Sequence, residues 1–401
     1  MASVRKTSVL ALASGLVAAA LVVPAGAHGC HVPDPRVAAA AAKACGFSKV
    51  GAAEVSETAG LGRVEVHGKI AAVLQRDEGI VSLVDISKPA RPKVLGRYDG
   101  GVDQQRAGKS LDGDLAFSAD GKWLFYARQS TSMSADGVHV IDVSDPSAPQ
   151  LMHFQQQGGS FRIALYETGS ATYVITMDAI EGLVVNRFDP TNTAGALVPV
   201  FSDPQPALER VGGPASAGLF VDPKDPALGV PLLYATSGTT GLQVYDLSAP
   251  ETPELVGSWE HEGLAEVEVV RTKKTRTVYT ATEYWFEKEN KPEVVVLDAS
   301  DLGSIEEKSR ISLGLPATDE FRVQGMTISK GRLYAAYSQA GLIAYTLAGH
   351  EAGYFTDLGT RNDAATALGE PYAFDVEASK DLLYVTDAAT GTLTVVRPSR
   401  H

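Results

Sequence analysis

Gly241-LQVYDLSAPETPELVGS-Trp259 reads as an apolar strand, an Asp-Leu-Ser-Ala-Pro turn and a second strand carrying Val-Gly. An Asp entering a turn can accept from amides two residues on, and Pro stops one strand before the next begins. Close copies are Gly79-IVSLVDISKPARPKVLGR-Tyr98 and Gly137-VHVIDVSDPSAPQLMH-Phe154. Looser ones begin at Gly182, Glu293, Gly341 and Gly391. A segment that recurs in this way marks stacked structural units rather than a reaction centre.

The residues opening these third strands are Gly79, Gly137, Gly182, Gly241, Pro292, Gly341 and Gly391, at spacings of 58, 45, 59, 51, 49 and 50. The second unit shows the preceding half best. Asp114-LAF-Ser118, the turn Ala119-DG-Lys122 and Trp123-LFYAR-Gln129 form a hairpin around an Asp-Gly pair. Seven four-stranded units predict an all-β, seven-bladed β-propeller. Phe47-SKVGAAE-Val55 resembles the fourth strand of a unit that lacks its third, and Thr392–Val396 a third strand that lacks its fourth. An unpaired strand edge is a liability, so the two should pair and close the ring. Two β-sandwiches are the alternative architecture, but they leave the sevenfold recurrence unexplained.

The repeated Val-x-Asp-Val-Ser-Asp-Pro-Ser-x-Pro-x-Leu-Val-Gly pattern resembles the LVIVD repeat of bacterial and archaeal secreted or cell-surface β-propellers. The resemblance is strongest in units one, two and four and spans about residues 47–401. It implies a propeller with an extracytoplasmic address, and it supplies no catalytic residue.

The leader agrees with that address. Arg5 and Lys6 precede an apolar run from Ser8 to Val23, followed by Pro24-Ala-Gly-Ala27. This is the pattern of a cleaved secretory signal over residues 1–27. Residues 28–46 are then an extension and 47–401 the propeller. Asp34, Pro35, the alanine run and Gly46 predict a short helix over 35–45. Cys30 and Cys45 flank it and are expected to form a disulfide worth about 3 kcal/mol. A lipidated Cys30 is the competing fate, although Ala27 and His28 make a poor lipobox.

The net charge of −13 becomes −15 without Arg5 and Lys6, which disfavours nucleic acid and anionic membranes as partners. No other apolar run reaches the ~20 residues of a membrane span. The expected protein is a secreted monomer that binds a protein or a small polar or carbohydrate ligand. A Gly-x-Ser-x-Gly elbow and a His-Glu-x-x-His motif are both missing, and Ala107-GK-Ser110 lacks the upstream glycine of a phosphate loop.

Candidate site residues come from the first strands, which line a propeller's central tunnel. His67, Asp114, Arg162, Ala217, Glu266, Gln324 and Asp375 are expected to start them, with Glu268 and Arg322 nearby. Arg162, Arg322, Gln324 and Asp375 would bind a polar ligand at the tunnel mouth. Tyr284, Trp285 and Phe286 in a neighbouring loop would stack on it. The enzymatic alternative, a hydrolase or lyase, would use Glu266, Glu268, Asp114 or His67. Glu266 and Glu268 have strand spacing and face one way, so either can raise the pKa of the other. No cofactor is expected. Copper at His28 and His31, or calcium at Asp112–Asp114 or Asp222–Asp225, is the outside possibility.

Overall fold

The computed structural model describes residues 44–57, 60–76, 78–99, 110–130, 136–192, 195–204, 217–282, 293–312, 322–358 and 372–399. They form seven antiparallel sheets. Six consecutive units, beginning at Leu61, Ser110, Ser160, Ala217, Leu264 and Gly325, are blades one to six. Blade seven combines Ala373–Ser379, Leu382–Asp387 and Thr392–Pro398 with Phe47–Glu54. The first strands touch one another in order around a circle, and blade seven meets blade one. The seven-bladed propeller expected from the repeats is the observed fold.

Closure follows the predicted pairing. Phe47 lies opposite Pro398 and Glu54 opposite Thr392, with a bulge at Val50. The amides of Val55 and Ser56 both donate to the Gly391 carbonyl, at 2.9 and 3.1 Å. The extension departs from expectation. Ala44–Cys45 is a strand, not the end of a helix, and pairs with Tyr354 and Phe355 as a fifth strand of blade six. Gly46, at φ 74°, turns the chain from blade six to blade seven. The alanine run favours a helix locally, but an unpaired sheet edge offers each backbone group a partner, and tertiary context overrides propensity. Residues 34–43, Cys30, the leader, His28 and His31 lie outside the described residues. No described helix is long and apolar enough to cross a membrane.

The core sits between blades rather than in one centre. Tyr234, Leu242 and Val244 of blade four pack on Val267, Val278 and Val295 of blade five, and similar clusters fill the other seams. Second and third strands are buried on both faces, which explains their unbroken Val, Leu and Tyr runs. Each such side chain contributes about 1.5–3 kcal/mol through burial.

The repeat motif joins one blade to the next. Asp85, Asp142, Asp246 and Asp298 each accept from the amide two residues on, at 2.7–3.0 Å, and so hold the turn after the third strand. The Val-Gly glycine of one blade receives the turn of the following blade. A Cβ on Gly96 of blade one would stand 2.6 Å from the Pro146 carbonyl oxygen and 2.8 Å from that of Ser147 in blade two. Gly257 meets Leu302 of blade five in the same way. Gly96→Val should therefore destabilise the fold by about 1–3 kcal/mol in urea unfolding. Gly169→Ala, at a glycine with open space around it, should change little.

Candidate functional site

Five first strands carry a bulge where they enter the tunnel, between Leu61 and Val64, Ser110 and Asp112, Ser160 and Arg162, Leu264 and Val267, and Ala373 and Asp375. A bulge leaves backbone groups outside the ladder and re-aims side chains. Here the freed amides turn to neighbouring blades. Val64 N donates to Asp375 Oδ2 at 2.9 Å, and Ile163 N to Asp114 Oδ2 at 3.1 Å. Freed carbonyls do likewise, since Thr386 donates to Gly62 O and Thr236 to Ala265 O.

The charged side chains at these entries form one network across the tunnel. Glu266 Oε1 accepts from Arg63 Nη2 at 2.5 Å and from Arg162 Nη2 at 3.1 Å. Arg63 Nη1 reaches Asp375 Oδ1 at 3.4 Å. Arg162 also donates to the carbonyls of Ala217 and Phe161. Blades one, three, five and seven are thus linked side chain to side chain, and Asp114 of blade two joins through Ile163. Burial pushes the Asp114 carboxyl up to about 6, against the pull of Arg63 and Arg162. Asp375 is raised by burial too, again opposed by Arg63.

Strand alternation places Glu65, Glu268 and Glu377 one step deeper, below Arg63, Glu266 and Asp375. Burial, then Glu377, pushes Glu65 well above the usual carboxylate range. Burial, then Glu377 and Glu266, does the same to Glu268. Glu377 is pushed up to about 8, by burial and then Asp375. Glu377 therefore holds its proton near neutral pH, and burial pushes Glu65 and Glu268 in the same direction.

A carboxyl with a raised folded pKa binds more protons in the folded than in the unfolded state. Its stabilising effect is complete below the unfolded value near 4.5 and is lost as pH rises through about 8. The melting temperature should accordingly fall between pH 5 and pH 8.5. Glu377→Gln, which keeps the neutral shape, should flatten that slope in differential scanning calorimetry. An unchanged slope would remove the glutamates from the account.

Beside the network, at the entries of blades six and seven, stand Arg322, Gln324 and Tyr372. With the Gln324 amide oxygen turned toward Arg322, it accepts from Arg322 Nη2 at 3.0 Å and from the Tyr372 hydroxyl at 2.9 Å. Asp387 accepts from the Tyr372 amide, and burial pushes its carboxyl up to about 6.

The LVIVD repeat matches residues 62–100 and 133–154, which take in most of blade one and the second half of blade two. The chain carries LVIVD repeats on a seven-bladed β-propeller. Among solved structures, the crystal structure of Chaetomium thermophilum Raptor is similar to it, with a TM-score of 0.57 and 12% identity. The match covers 88% of the LVIVD propeller and 29% of that chain, and at this identity it speaks for the fold alone. No curated protein matches the sequence.

The LVIVD propeller brings Asp114, Arg162, Glu266, Glu268 and Asp375 to the tunnel as expected, with Ala217 bonded to Arg162. His67 is not among them. It ends its strand, opposite Ile70, and packs against Phe117 at the other end of the blade. The blade-one residue at the network is Arg63, which sequence reasoning missed together with Glu65 and Glu377. The signal was the shared spacing Arg63-x-Glu65, Glu266-x-Glu268 and Asp375-x-Glu377. Asp222 and Asp225 hold a turn and pair with Arg271 and Arg276. Tyr284, Trp285 and Phe286 lie outside the described residues, as does the Asp112 side chain.

Proposed function

We propose that this LVIVD propeller is a secreted binding or scaffold module. Its ligand, a protein or a small polar or carbohydrate molecule, approaches the tunnel mouth. The observation that supports this reading is the set Arg322, Gln324 and Tyr372. It offers a partly exposed guanidinium and an amide beside a network whose other cations already serve neighbouring blades. A mouth with a rigid charged floor and a few polar groups at its rim suits recognition. Arg162 and Asp375 would act there chiefly by fixing the floor, and the 284–286 aromatics by stacking.

The test is a glycan and peptide screen with the secreted protein, followed by titration of each hit against Arg322→Ala and Gln324→Ala. At least tenfold weaker binding is expected, and undiminished affinity in both variants would overturn the site. Mass spectrometry of the same material, unreduced, would test a start at residue 28 and a Cys30–Cys45 bridge.

A hydrolase or lyase is the second reading, and one observation favours it. Burial raises the carboxyls of Glu377, Glu268 and Glu65 beneath the Arg63–Glu266 network, the direction that suits a general acid. Turnover of a glycan or ester panel that disappears in Glu268→Gln and Glu377→Gln would establish it over the binding role.

A further inference from the structure

On the face of the ring opposite the mouth, a cavity of about 230 Å³ opens between blades six and seven. Lys330, Arg332, Lys380 and Arg397 line it, Tyr334 forms part of its wall, and Asp381 is its one acid. The setting is unusual, because the chain as a whole carries 48 acidic residues against 35 basic ones. Asp381 is committed to Arg397 at 3.3 Å. Neither lysine has a carboxylate partner among the described residues, nor has Arg332.

The backbone gives an independent indication. Lys330 and Lys380 sit in the hairpins joining first and second strands, at φ 50° and 60°. Blade one fills the corresponding position with Gly68, at φ 60°. A side chain in this left-handed conformation is strained, and glycine or asparagine is the usual choice there. Only three non-glycine residues among those described have positive φ, and two of them are the lysines of this cavity. Strain retained at paired positions around one opening points to use rather than to folding.

We propose that this cavity is a binding site for a tetrahedral oxyanion, the terminal phosphate or sulfate group of a larger ligand. Lys330, Lys380 and Arg332 around one opening match such a group through charge-assisted hydrogen bonds, with Arg332 able to bond two oxygens and the Asp381-paired Arg397 adding positive charge at the rim. The volume lies below the roughly 300–1,000 Å³ of pockets that enclose a whole small molecule, so it admits the anionic end and leaves the remainder outside. The site is separate from the mouth and does not depend on the function proposed for it.

The experiment uses the full chain in calorimetric titrations and thermal melts with inorganic phosphate, inorganic sulfate and a sugar phosphate monoester, at ionic strength held constant with sodium chloride. Millimolar binding of at least one anion is expected. A preference for the ester identifies a phosphorylated ligand, a preference for the free ions identifies phosphate or sulfate itself, and either result supports the site. The decisive variant is Lys330→Gly with Lys380→Gly. Glycine suits both backbone positions, so its melting temperature without ligand should equal or exceed that of the parent, while binding weakens about a hundredfold, tenfold per cation. The proposal is overturned if the double variant binds as the parent does, or if none of the three anions binds better than chloride.

Discussion

Asp225→Ala is expected to destabilise the propeller by about 3–5 kcal/mol. Asp225 and Arg276 are 0% and 3% exposed at their side chains and meet through two parallel bonds, Nε to Oδ2 at 2.6 Å and Nη2 to Oδ1 at 2.8 Å. Arg276 donates further to the carbonyls of Ala299 and Ser300, and Asp225 accepts from the amides of Ala227 and Leu228. The pair thus fastens a hairpin of blade four to the second strand and the motif turn of blade five. Removing the carboxylate leaves a buried guanidinium without its counter-charge, and that isolated charge is the source of the loss. Asp225→Ala combined with Arg276→Met should recover most of it, since an apolar replacement of a buried pair is often neutral. Guanidinium chloride unfolding of the two variants reads the difference. A double variant no more stable than the single one would mean that the pair acts through packing rather than charge.

Phe47→Ala should cost a comparable amount, about 3–5 kcal/mol. Phe47 is 9% exposed and meets Tyr334 and Phe355 of blade six edge-on, with ring centroids 6.1 and 6.4 Å apart. It is the first residue of the closing strand, so its loss should also loosen the pairing with Thr392–Pro398. Hydrogen exchange should show lower protection there and little change in blades three and four. Uniform loss around the ring would mean that closure is not a local event.

The repeats made the ring legible because their signals are local. An Asp-x-Ser turn and a Val-Gly strand need the same residues wherever a blade occurs, and the two unmatched strands at the ends left one way to close. The tunnel was harder to read because bulges break strand alternation. In blade one the regular pattern begins at Val64, so the strand start was displaced toward His67 while Leu61, Gly62 and Arg63 went unread. Asp114 and Asp375 were recognisable as inward-facing, but their acceptance of amides from the next blade depends on how the blades stack. The Ala44–Cys45 strand was invisible for a similar reason. Its partner is the edge of a blade some 300 residues away, and nothing local distinguishes those two residues from the alanine run before them. The lysines at positive φ could not be foreseen either, since lysine carries no preference for that conformation.

The closing segment has a consequence for how the molecule opens. Within eleven residues it bonds to the outer edge of blade six at Ala44–Cys45 and to blade seven at Phe47–Glu54, with the Ser399 amide clasping Gly46 O at 2.8 Å between them. It therefore works as a double latch. The circle cannot gape between blades seven and one until the Phe47–Glu54 catch is released, and a chain pulled from its amino end must first give up the catch on blade six. Under load the two should let go in that sequence, as separate steps in a force–extension trace.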